Sequence, residues 1–275
     1  MNWQARSLGA TLDEIINLLT GIGSLPTNIL HRIVFCSVLK AGLSFQQAKT
    51  QHIMELNKLM QTIPASYRGL VTGKLYLQAL RLVKEFKKII KNRCRPVLLK
   101  EANLQYIQNS LRRSLGKVDK VAVLDCASIP EIVTFATKFK TLNRYPVILT
   151  EIFINPVGIT RFLTRQLKMF NQRTALSGYA QLLKQTLNAK QSYNTPLIDL
   201  TVHKHGVSLE EFLNSLNMQA LFKTIKDLTG LDSILITHDH GYDVVANDHG
   251  FYVIHGYKGE CPINFSKIAL FLAVS

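Results

Sequence analysis

From residue 8 to about 115 the apolar residues recur at three- and four-residue spacing and almost nothing alternates, so this half of the chain is predicted to be helical. Thr11 followed by Asp13 and Glu14 reads as a helix start, its carboxylates facing the positive end of the helix dipole. Breaks are expected at 21–26, at Pro64 and around Pro96. The clearest helix covers residues 73 to 92. Leu75, Leu82, Phe86, Ile89 and Ile90 supply its apolar surface, while Lys84, Lys87, Lys88, Lys91 and Arg95 recur at three-, four- and seven-residue spacing and make one face basic.

The pattern changes after Gly116, where KVDKVAVLD is a short β-branched run of the kind found in buried parallel strands. A boundary near 117 divides a basic helical domain, 1–117, from a second domain, 118–275. In the second, a helix is predicted at 129–140, a strand at 145–150, a helix from Pro156 to about 170 and another reaching into the 180s. PLIDL then reads as a strand. A helix follows at 208–229, starting from Ser208 with Glu210 and Glu211 in its first turn, and SILIT at 233–237 is the next strand. GFYVIHG and IALFLAV look like two final strands. The expected fold is α/β, a mostly parallel sheet with helices on both faces, preceded by a basic all-helical region.

With 47% apolar and 19% charged residues, the composition is that of a folded globular protein. The net charge of +15 is uneven: residues 1–117 hold 18 Lys and Arg against 5 Asp and Glu, a difference of +13, leaving about +2 for the rest. Such a field attracts polyanions, so nucleic acid is a candidate partner of the basic helical half, with an ordinary solvated face as the alternative. The four cysteines, Cys36, Cys94, Cys126 and Cys261, form no Cys-x-x-Cys pair, so neither a disulfide framework nor a thiolate zinc site is suggested. The N-terminus does not read as a signal peptide, and the apolar stretches near Ile33 and Leu270 are too short or too interrupted to span a bilayer. A cytoplasmic protein without membrane contact is expected.

The chemistry concentrates at predicted strand ends in the second half. Asp125 ends VAVLD, Asp199 ends PLID, Asp239 and His240 follow SILITH, and His255 ends FYVIH. Carboxylates and neutral imidazoles bind zinc, manganese and related divalent ions, and strand ends can bring them to one point. His205, His238 and His249 are nearby alternatives.

Asp199-Leu-Thr-Val-His203-Lys-His-Gly206 resembles the Asp-x-x-x-His-x-x-Gly motif of the alkaline phosphatase superfamily, especially its nucleotide pyrophosphatase and PglZ-like branches. Thr237-His238-Asp239-His240-Gly241 is similar to the family's Ser-Asp-His-Gly. VAVLDCASIPE resembles its opening strand, and His255-Gly256, with Glu260 shortly after, its last His-Gly. The resemblance covers roughly 118–275. It implies an alkaline phosphatase-like core and two divalent ions, zinc or manganese, with Asp199, His203 and His255 on one and Asp125, Asp239 and His240 on the other. It further implies hydrolysis of a phosphate-containing substrate, by a phosphodiesterase, phosphatase or nuclease, and a place in antiviral defence beside defence-system protein partners.

The sequence departs from the family at the nucleophile. Where PglZ-like chains carry Thr before a Pro-Leu-Gly-Met run, this one has Asn155 before Pro156-Val-Gly158. Asn is no nucleophile. Water could attack directly, another hydroxyl such as Ser128 or Thr160 could substitute, or the protein could be an inactive metal-, phosphate- or nucleic-acid-binding assembly component. Thr160, expected a full turn inside its helix, ranks last. Cys126 reads as structural.

Overall fold

The computed structural model describes residues 3–22, 24–93, 104–115, 117–149, 153–162, 175–204 and 207–275. Six helices come first: α1 (Trp3–Thr20), α2 (Thr27–Leu43), α3 (Thr50–Gln61), α4 (Ala65–Thr72), α5 (Lys74–Arg93) and α6 (Leu104–Ser114). The second half is mixed α/β. Its central sheet contains β1 (Lys120–Leu124), β2 (Pro146–Ile148), β4 (Gln191–Thr195), β5 (Ile234–His238) and β10 (Phe271–Val274), in the order β2-β10-β5-β1-β4. β1 runs parallel to both β4 and β5, whereas β10 is antiparallel to β5 and β2. The centre is therefore parallel, as the sequence predicts, but the last strand is inserted against the grain.

Alternation along β1 builds two cores. Ala122 and Leu124 join one apolar cluster with α7 (Ile129–Thr141), α1, α2, α5 and α11 (Met218–Thr229); Val121 and Val123 join another with α6 and α8 (Ala175–Thr186). Helices thus cover both faces. The first core runs without interruption from Leu8 of α1 to Val274 of β10, so the basic helices and the sheet share apolar interior. Among the described residues no helix is long and apolar enough to cross a membrane.

Several expected elements differ, among them the helix start expected at Thr11, which lies inside α1, and IALFLAV, which is two strands, β9 (Ile268–Ala269) and β10. PLIDL is a helix, α9 (Leu197–Val202); the strand lies just before it in β4, whose edge position tolerates the polar sequence QSYNT. Pro196 has no N–H for a ladder, and in so short an apolar run helix and strand look alike. The helix expected at 208–229 is two, α10 (Leu209–Ser215) and α11, because Asn217 accepts from the Ala220 amide at 3.0 Å and starts a new helix. GFYVI is β7 (Gly250–Ile254) of a separate antiparallel sheet with β6 (Asp243–Asn247) and β8 (Ile263–Asn264), while β3 (Phe153–Ile154) pairs with β9 (Ile268–Ala269). The helix expected from Pro156 begins instead at residue 160, and its continuation beyond 162 lies outside the described residues.

Candidate metal centre

The register of the parallel strands explains where the candidate ligands meet. Leu124 is level with Thr195 on one side and His238 on the other, so the carboxyl ends of β1, β4 and β5 form one edge. Asp125 and Asp239 are each the next residue past that edge. Asp199 comes from the first turn of α9, and His203 follows one turn later at its C-terminus. His255 arrives from the end of β7.

Two sets of three ligands result: Asp199, His203 and His255, and Asp125, Asp239 and His240, with the candidate ligand atoms of each set all within 4.8 Å of one another. In the first set, His203 Nε2 and His255 Nε2 stand 2.9 Å apart and lie 3.3 and 3.6 Å from Asp199 Oδ1. In the second, His240 Nε2 is 3.5 Å from both Asp125 Oδ1 and Asp239 Oδ2. Ligands about 2.1 Å from a tetrahedral ion are separated by about 3.4 Å. The carboxylate–imidazole spacings of 3.3–3.6 Å match this, while the two imidazoles at 2.9 Å are at hydrogen-bond distance, and each set could hold an ion. The sets adjoin, with the His240 and His255 ring centroids 4.9 Å apart.

Two imidazoles are held with the same nitrogen inward. His240 Nδ1 donates to the Gly241 carbonyl at 2.9 Å and His255 Nδ1 to that of Gly158 at 3.2 Å, which leaves each Nε2 lone pair for the centre. The approach of Gly241 to its surroundings requires glycine, since a Cβ there would stand 2.6 Å from the Phe265 carbonyl oxygen.

Asp239 is fully buried and its Oδ2 has no hydrogen-bond partner. Burial first, and then the facing Asp239 carboxylate, push Asp125 above the ordinary carboxylate range; burial raises Asp239 as well. An orphaned carboxylate oxygen beside a second strained carboxyl fits a site built for cations, because a buried negative pair is costly without one. Burial and the neighbouring His240 likewise lower His255 to about 4, keeping it neutral as a ligand must be.

The alternatives separate clearly. His238 is fully buried and committed to backbone: its Nδ1 donates to the His240 carbonyl at 3.0 Å, and its Nε2 accepts from the Leu270 amide at 3.0 Å. His249 is exposed in the β6–β7 turn, and His205 and Gly206 lie outside the described residues. Cys126 sits at φ 60°, and its sulfur forms a third close set with Asp199 and His240.

Asn155 does not face the centre. Its Nδ2 donates to the carbonyls of Ile159 and Asp239, at 2.9 and 3.2 Å, and its Oδ1 accepts from the Gly158 amide at 2.9 Å. Thr160, at the start of its helix rather than a turn inside, brings its Oγ1 to 3.2 Å from His240 Nε2 and 3.4 Å from Asp125 Oδ1. Ser128 begins α7 instead, its amide donating to Glu131 Oε2 at 2.8 Å. The sequence pattern ranked Thr160 last because Pro156 looked like a helix start; the tight turn at 155–158, closed by the Asn155 side chain, delays that start by four residues.

The basic face of α5 is divided. Lys88 pairs with Glu85 at 3.0 Å, Lys84 and Lys91 are exposed, and Lys87 is half-buried with its Nζ 5.2 Å from the Phe45 ring centroid. Arg95 and Cys94 lie outside the described residues. Glu260, placed after the family's last His-Gly, lines a cavity with Lys87 and not the ligand cluster. No known family model and no curated protein matches the chain.

Proposed function

We propose that the chain is a metal-dependent phosphoester hydrolase of the alkaline phosphatase type. In this reading Asp199, His203 and His255 hold one divalent ion and Asp125, Asp239 and His240 a second, zinc or manganese. The observation that carries it is the adjoining pair of three-residue sets, each with its candidate ligand atoms within 4.8 Å of one another. Bound there, two ions would supply Lewis-acid charge to a phosphoryl group and its leaving oxygen.

The protein's own groups do the rest. The carbonyls of Gly158 and Gly241 hold the two imidazoles in the ligating tautomer. In this reading the Thr160 hydroxyl, within hydrogen-bond reach of His240 and Asp125, is the attacking oxygen in place of the residue at position 155. Asn155 shapes the loop that delivers Thr160. The positive excess of the N-terminal helices favours an anionic substrate, nucleic acid included.

A second reading, an inactive binding component, draws on the same Asn155, whose side chain is spent on backbone bonds. Metal content and hydrolysis of bis-p-nitrophenyl phosphate decide between them. Wild type is expected to hold metal and turn over, Asp239→Ala to lose both, and Thr160→Val to keep metal while losing about 100-fold or more in kcat. Thr160→Ser should retain activity, and Asn155→Thr should gain none. Metal without turnover in wild type would establish the binding protein; wild type without metal would sink both ion assignments.

A further inference from the structure

Cys126, the residue after Asp125, sits among the candidate ligands without belonging to either of the two ion sets. Its sulfur, a carboxylate oxygen of Asp199 and a ring nitrogen of His240 all lie within 4.8 Å of one another. Asp199 belongs to the first set and His240 to the second, so the sulfur stands beside a member of each.

The backbone puts it there. Just past β1 the chain turns through Cys126 at φ 60°, a left-handed conformation that favours glycine. The turn aims the Cys126 amide at Asp239 Oδ1, 3.4 Å away, and brings the sulfur to 3.5 Å from the Gly241 carbonyl oxygen. A side chain kept where glycine would be relaxed suggests a use for it. Packing accounts for only one side of the residue. Cys126 is fully buried and joins the first apolar core, yet the carboxylates of Asp199, Asp125 and Asp239 lie close enough to act on the charge of its sulfur. Those are poor surroundings for an apolar filler.

A second observation points to a cation at the same place. Asp239 Oδ2 is fully buried without a hydrogen-bond partner and lies 3.5 Å from His240 Nε2. The corner shared by Cys126, Asp239 and His240 therefore holds an anionic oxygen with nothing to bind. Charge points the same way. Two divalent ions bring four positive charges; the carboxylates of Asp125, Asp199 and Asp239 balance three, and the imidazoles, neutral as ligands, balance none. A thiolate balances the fourth in a buried site where an unmatched charge is costly.

We infer that the Cys126 thiolate is a further ligand of the centre, standing between the two ions, and that it selects zinc over manganese. The inference rests on the two-ion reading proposed above. On binding, the S–H bond breaks, its electron pair goes to the ion and the proton to water. Soft sulfur favours zinc, whereas manganese favours oxygen, so of the two metals open to the centre a thiolate chooses zinc.

Cobalt(II), which takes zinc's ligands and reports them in its absorption, tests this on the full chain stripped of metal and kept reduced. Wild type is expected to show the visible bands of bound cobalt together with an intense near-ultraviolet sulfur-to-cobalt charge-transfer band. Cys126→Ser should keep the visible bands and lose the ultraviolet one, and its preference for zinc over manganese should fall about tenfold or more. A chain with Cys36, Cys94 and Cys261 all replaced by alanine should keep both, which assigns the band to Cys126 without substituting it. Bound cobalt without the charge-transfer band in wild type, the band persisting in Cys126→Ser, or its loss in the triple variant overturns the sulfur ligand and leaves the two ligand sets standing. No visible bands in wild type would remove the two-ion reading and this inference with it.

Discussion

His238 is held neutral by its surroundings, and that sets a pH dependence. Burial lowers its pKa to about 4 from 6.5, while in the unfolded chain it takes a proton near the higher value. Between the two the unfolded state binds more protons, so the stabilisation is complete above about 6.5 and is lost as the pH falls toward 4, on the order of 3 kcal/mol. Asp243, raised by burial to about 6, works in the opposite direction: the folded state keeps a proton the unfolded state has released, so its contribution declines as pH rises from 3.8 to about 6. The two are separated by substitution. Urea unfolding of His238→Gln from pH 4.5 to 7.5 should show the wild-type loss on the acid side flattened, and an unchanged slope would contradict the neutral assignment. The carboxyls of Asp125 and Asp239, raised in the absence of an ion, must release protons to ligate one. Zinc affinity is therefore expected to climb with pH and to be accompanied by proton release, measurable by calorimetry in buffers of different ionisation enthalpy. Five of the six candidate ligands were legible because their residue types stand next to strand-like runs, and His203 because of its spacing from Asp199. Thr160 was named but ranked last, since its placement depends on a turn closed by the buried side chain of Asn155.

Single contacts between elements carry comparable weight. Gly42, in the last turn of α2, lies so close to the segment before β8 that an added Cβ would stand 1.9 Å from the Pro262 carbonyl oxygen. Gly42→Ala is expected to destabilise by about 1–3 kcal/mol, against the usual gain of alanine in a helix, with a matching drop in the chemical-denaturation midpoint. Long amphipathic segments such as 74–93 were plain from spacing. The run at 197–202 was not, being too short for period two and period 3.6 to differ, and β4 was invisible because an edge strand need not be apolar. The hairpin of β6 and β7 left only its second strand readable, since DVVAN has polar residues at both ends and does not stand out.

The molecule is tied together through one buried acceptor. Glu131 Oε1 receives the Tyr242 hydroxyl at 2.7 Å and lies 2.5 Å from His31 Nε2, while Oε2 accepts from the Ser128 amide. These bonds join α2, the start of α7 and the residue after His240-Gly241. Glu131→Ala orphans buried partners from three segments at once, so a loss upward of about 3 kcal/mol is expected in equilibrium unfolding, with metal affinity falling in step. A loss below about 1 kcal/mol would show that the network is not a structural tie. The sheet carries a different consequence. β10 occupies an inner place, hydrogen-bonded to β5 on one side and β2 on the other, although it follows every other described strand in sequence. During synthesis β2 can reach the rest of the sheet only after residues 271–274 have left the ribosome exit tunnel, and until then the flanks of β2 and β5 present open backbone. Until then the parallel strands already made expose an edge that only the finished fold closes.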